Sequence, residues 1–164
     1  MQPATVPARS SLAAMALAAA LLSTGPAHAG GSVNTGYFGG VAIMGYDPVA
    51  YFTEGRPMKG SEELAYEWLG TPWHFATKEH RELFINDPIR YAPQYGGYCV
   101  GEVAFNGVTI NIDPDAWAII DGKLYLSYDK DHIAEIASRP EGYLVKAEAN
   151  WPELKARLEQ GSAN

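Results

Sequence analysis

The chain has 164 residues, with 12 Lys and Arg against 19 Asp and Glu, a net charge of −7. That length suits one domain better than two, and an apolar share of 47 % can fill a core without covalent staples. An acidic chain with no Lys/Arg cluster repels phosphate backbones and anionic lipid heads, which argues against nucleic acid and membrane surfaces as partners.

At the N-terminus, Arg9 precedes an apolar run, Ser10 to Leu22, that is too short to cross a hydrocarbon layer about 30 Å thick. Ser23-Thr24-Gly25-Pro26 breaks the run, and Ala27-His28-Ala29 puts small residues at the positions a signal peptidase reads. Residues 1–29 are therefore expected to be a cleaved signal peptide, and the mature protein to be soluble and periplasmic or secreted. Loss of Arg9 leaves 11 basic against 19 acidic residues, a net charge of −8. No later run reaches about 18 apolar residues, so no membrane insertion is expected.

Residues 30–44 are Gly-rich and barely charged and read as a flexible lead-in to a single domain over 45–160. Gly45 to Phe52 (GYDPVAYF) opens on a turn and closes on an aromatic pair; Glu54-Gly55-Arg56-Pro57 is a second turn. Leu64–Leu69 and Pro72–Ala76 alternate aromatic and polar residues around Gly70-Thr71, the pattern of a β-hairpin. Thr77 is placed to cap a helix over Lys78–Asn86 with Leu83 and Phe84 turned inward, and Asp87-Pro88 ends it. Val108–Ile112 alternates like a strand, and Asp113-Pro114-Asp115 predicts a turn and a brief helical stretch through Trp117. Ala118–Ile120 and Lys123–Tyr128 flank Asp121-Gly122, the dipeptide a type I′ hairpin prefers. Asp129–Ala137 reads as a helix, and Glu141–Leu158 as another interrupted near Trp151-Pro152. The fold class is α+β: small antiparallel hairpins with helices packed on them.

Asp47-Pro48-Val49, a hairpin closing at Phe75, and a helix running into Leu83 to Tyr91 (LFINDPIRY) resemble the YHS domain. GYDPVAYF (45–52), YAPQYGGYC (91–99), DPDAW (113–117) and DGKLYL (121–126) resemble its free-standing exported members, so the likeness runs over about residues 45 to 155. The resemblance implies a treble-clef-like core with a C-terminal helical extension. It also implies association with metals, since the family occurs beside heavy-metal-transporting ATPases and some multicomponent oxygenases. Metal-associated members carry three thiols where this chain has Ala50, Ala76 and His80, so a cysteine-rich site is absent.

Cys99 is the only cysteine and can form no internal disulfide; it is expected to be buried, liganded or reactive. His80 stands where relatives carry a thiol and can donate nitrogen instead, or bond a nearby carbonyl. His74, between Trp73 and Phe75 in a strand, points away from both, and His132 reads as a surface residue. Asp47, Met58 or the more distant Met44 could complete a mixed site, and a Cys/His/Met set suits copper. All ten tyrosines follow residue 29; Tyr51, Tyr95 and Tyr98 belong to a cluster that reads either as core or as the wall of an aromatic pocket. No C-x-x-C-H, G-x-S-x-G, H-E-x-x-H or phosphate-cradling glycine loop occurs. These features lead to an exported YHS-type protein that binds a transition metal, copper first, through Cys99, His80, His74 and Asp47. The alternative is a metal-free module whose aromatic pocket (Tyr51, Tyr95, Tyr98) takes a small organic molecule or a partner segment. A thiol enzyme using Cys99 with His80 or His74 is third, and catalysis is not the main expectation.

Overall fold

A computed structural model describes residues 30–161, so the expected signal peptide lies outside the described residues. Asp47 starts the first helix, α1 (Ala50–Thr53): its Oδ1 accepts the backbone N–H groups of Val49 and Ala50 at 2.9 and 3.3 Å, a local bond Asp forms readily in turns. Strands β1 (Ser61–Trp68) and β2 (Thr71–Phe75) then form an antiparallel hairpin with Tyr66 opposite Trp73. Its turn is Leu69-Gly70, one residue earlier than expected, with φ of 52° and 67°.

Helix α2 (Lys78–Asn86) starts where expected, and the Thr77 hydroxyl accepts the His80 N–H at 3.1 Å. Its inward residues are His80 and Phe84, four apart on one face; Leu83 falls on the flank and is 39 % exposed, against expectation. Phe84 is surrounded by the rings of Trp68, Trp73 and Phe75 at 5.6, 5.2 and 5.1 Å, which fixes the hairpin on the helix. Helix α3 (Pro88–Tyr91) follows, with the Asp87 side chain accepting the Arg90 N–H.

After a turn over Gln94–Gly97 comes α4 (Val100–Phe105), which the sequence pattern did not suggest. Residues 108–112, expected as a strand, run as irregular chain, and the expected helical stretch from Asp113 is instead strand β3 (Asp113–Ile120). Pairing decides this: β4 (Lys123–Ser127) matches Asp113 with Ser127 and Trp117 with Leu126. Asp121-Gly122 closes the hairpin as expected, both residues at positive φ. Helix α5 (Lys130–Ser138) is capped by Asp129. Helix α6 (Pro140–Gly161) runs unbroken through Pro152, contrary to the expected interruption. Tyr143 and Ala147 before the proline and Leu154 after it are buried in one cluster, so packing outweighs a backbone penalty of about 3 kcal/mol.

The β3–β4 hairpin lies between two cores. Leu124 and Leu126 face a cluster with Val49, Tyr51, Trp73, Phe75, Phe84 and Cys99. Ala116 and Tyr125 face the other, built with Val103, Ile136 and Ala147. The arrangement is α+β, with two two-stranded antiparallel sheets. Residues 30–44 are not the free lead-in expected: Val33, Ala42 and Ile43 are buried, and Asn34 bonds the carbonyls of Gly96 and Gly97 through its N–H and its side-chain amide. Among the described residues no helix is long and apolar enough to cross a membrane.

Candidate functional site

Two places gather chemistry. The first is a relay of three side chains. Asp47 is fully buried, and its carboxylate accepts four hydrogen bonds. Oδ1 takes the Val49 and Ala50 amides, while Oδ2 takes the Ala76 amide at 2.8 Å and His80 Nδ1 at 2.7 Å. A carboxylate can only accept, so the proton between Asp47 and His80 resides on Nδ1. His80 Nε2 is thereby left toward Thr53 Oγ1 at 2.9 Å, with Glu54 Oε1 at 3.8 Å. The imidazole is buried, whereas Thr53 and Glu54 are exposed. A buried acid thus orients a buried base whose free nitrogen meets a hydroxyl at the surface.

This partnership divides the expected metal ligands. Asp47 and His80 come together as carboxylate and imidazole bonded to each other. Cys99 is fully buried, with Sγ 3.5 Å from Ser127 Oγ. His74 is half-buried beside Gly45, where an added Cβ would lie 3.4 Å from its Nδ1. Among the described residues no group of three or more His, Cys, Asp and Glu is placed to hold a metal ion, so Cys99, His80, His74 and Asp47 do not form the shared ligand set expected of them. His132 is not a plain surface residue either: its ring packs on Tyr128 and Tyr143 at 5.1 and 6.0 Å and its Nδ1 is buried.

The second place is a cleft of about 180 Å³ lined by Trp68, Trp73, Tyr95, Trp151, Ile89 and Lys155, among others. Three of the four tryptophans, from β1, β2 and α6, converge there. Trp73 donates its indole N–H to the Trp68 carbonyl at 3.2 Å, so the two rings are held relative to each other. Tyr95 packs edge-on against Trp151 at 5.8 Å and donates to Glu148 at 3.3 Å.

The three expected pocket tyrosines do not share a wall. Tyr51 is a core residue that donates to the Pro114 carbonyl at 3.0 Å. Tyr95 lines the tryptophan cleft, and Tyr98 lines a separate open groove with Arg157. Burial, first of all, raises the phenol pKa of all three above its ordinary value, so each remains a neutral donor.

Comparison with protein-family models, curated proteins and solved structures finds no match for the chain. Reasoning from sequence missed Thr53 and Glu54, and passed over Trp68, Trp151 and Lys155 as site residues. The available signal was the rarity of tryptophan, four in 164 residues. Nothing in the chain order of Trp68, Trp73 and Trp151 indicates that they meet.

Proposed function

We propose that this protein is an exported binding module that takes a small aromatic molecule in the cleft between Trp68, Trp73, Tyr95 and Trp151. The observation that carries the reading is the convergence of three tryptophans on one concave site. Its volume of about 180 Å³ compares with the roughly 150 Å³ cavity that holds benzene in a protein core, which points to one ring or two small ones. Tryptophan faces supply apolar contact at fixed geometry. Lys155 at the rim is exposed and 3.8 Å from Glu159, a pairing worth only about 0–1 kcal/mol, so its ammonium is free to meet a ligand carboxylate. Export rests on Arg9, the apolar run and Ala27-His28-Ala29. Among the described residues no group of three or more His, Cys, Asp and Glu supports copper over this reading, and the burial of Cys99 lends a thiol enzyme no support.

Benzoate and benzyl alcohol serve as probes, followed by tryptophan emission and titration calorimetry on the mature protein. Saturable binding is expected, with benzoate tighter than benzyl alcohol. Trp151→Ala should weaken benzoate by about tenfold or more, and Lys155→Gln should abolish its advantage over the alcohol. No saturation by either probe at millimolar concentration, or unchanged binding in a folded Trp151→Ala protein, would overturn the reading.

A further inference from the structure

The Asp47–His80–Thr53 relay has no part in ligand capture by the cleft, and its geometry is that of an activated hydroxyl. We propose that Thr53 is an acyl-accepting nucleophile, with His80 as its general base and Asp47 as the positioning residue, acting on small uncharged carboxylic esters.

The two contacts, 2.7 Å from Asp47 Oδ2 to His80 Nδ1 and 2.9 Å from His80 Nε2 to Thr53 Oγ1, both lie within the range a proton-transfer chain requires. Three backbone amides hold the Asp47 carboxylate in place, so it fixes the imidazole tautomer that keeps the Nε2 lone pair available. Thr53 is the exposed member, which lets a dissolved ester reach Oγ1 while the base stays behind it. Thr53 Oγ1 also lies 3.3 Å from the Val49 carbonyl, an acceptor for the hydroxyl whenever Nε2 carries a proton. The charged groups facing His80 are Asp47 and Glu54, both acids; they stabilise the imidazolium that forms during attack and repel anionic phosphoryl donors. A neutral ester fits this field.

In the forward step Oγ1 forms a bond to the acyl carbon and its proton passes to Nε2. The bond from acyl carbon to alkoxy oxygen breaks, and the departing alkoxide takes that proton. Water then adds to the Thr53 ester with His80 again accepting a proton, releasing the carboxylic acid and regenerating the hydroxyl.

The test uses 4-nitrophenyl acetate with the mature protein, reading the nitrophenolate burst and locating the acetyl group by peptide mass mapping. One acetyl on Thr53 is expected, with a burst about a hundredfold or more above that of Thr53→Val, the size of a general-base contribution. Thr53→Ser should retain the burst. Asp47→Asn, checked for folding by circular dichroism, should lose it at neutral pH and regain part of it by about pH 9, below the phenol range, as hydroxide takes over removal of the Thr53 proton from the misoriented base. Thr53 is exposed, so its variants decide the matter even if Asp47→Asn unfolds. Absence of acetyl from Thr53, or an equal burst in Thr53→Val, overturns the proposal and leaves the relay as a tie between α1 and α2. Either result is independent of aromatic probe binding in the cleft.

Discussion

Cys99 shows how a residue's surroundings settle among the roles its chemistry allows. As the lone thiol of a chain whose sequence reads as exported, it had three readings. Its complete burial, with Sγ 3.5 Å from the Ser127 hydroxyl, selects the packed one. Alkylation of Cys99 by iodoacetamide should therefore proceed only through unfolding, at least about a thousandfold slower in buffer than in denaturant. Comparable rates in the two conditions would contradict the burial. Asp47 and His80 were legible as chemistry-bearing residues from their types and their place in the motifs. Thr53 was not, because a threonine at the end of a four-residue helix has no distinguishing local pattern. The hydroxyl becomes notable only when His80, 27 residues later, folds against it.

Among the elements, the segments with strong local signals came out close to expectation. Thr77 and Asp129 cap α2 and α5 because a short side-chain oxygen satisfies the free N–H groups of a first turn, a choice made within a few residues. Asp121-Gly122 is similarly local. The misread β3 depends on β4, which lies further along the chain. Two glycines separate local from tertiary demand. Gly122 has φ +74° and nothing within 4 Å of an added Cβ, so Gly122→Ala should cost only about 1 kcal/mol, the backbone penalty alone. Gly96 has φ +63°, and its Cβ would lie 1.9 Å from the Ser32 carbonyl oxygen. Gly96→Ala should cost about 3 kcal/mol or more, because the 31–34 segment has to leave its seat. Urea unfolding of the two variants measures the difference, and equal losses would mean that the segment is not docked there.

For the molecule as a whole, the shared feature is two cores on either face of one hairpin, each containing tyrosines held neutral by burial. Burial leads the causes that raise Tyr51 in the first core and Tyr95 and Tyr125 in the second, with Tyr98 packed beside the second. Their folded-state pKa values lie above the unfolded value of about 10, so their contribution is fully present below that pH and is lost as pH rises beyond it. Thermal midpoints should thus fall steeply above about pH 10, with buried phenols ionising only as the chain unfolds. Early, reversible ionisation of all ten tyrosines in the folded protein would count against this. The amino-acid order alone determined the α+β class, the caps, the second hairpin turn and the acidic character, since each follows from contacts or charges summed over a few neighbours. Tertiary structure alone decided that 31–34 belongs to the core, that Pro152 stays within a helix, that three tryptophans form one cleft and that Thr53 meets His80. Those outcomes depend on segments tens of residues apart, and their free energy comes from packing that no local window contains.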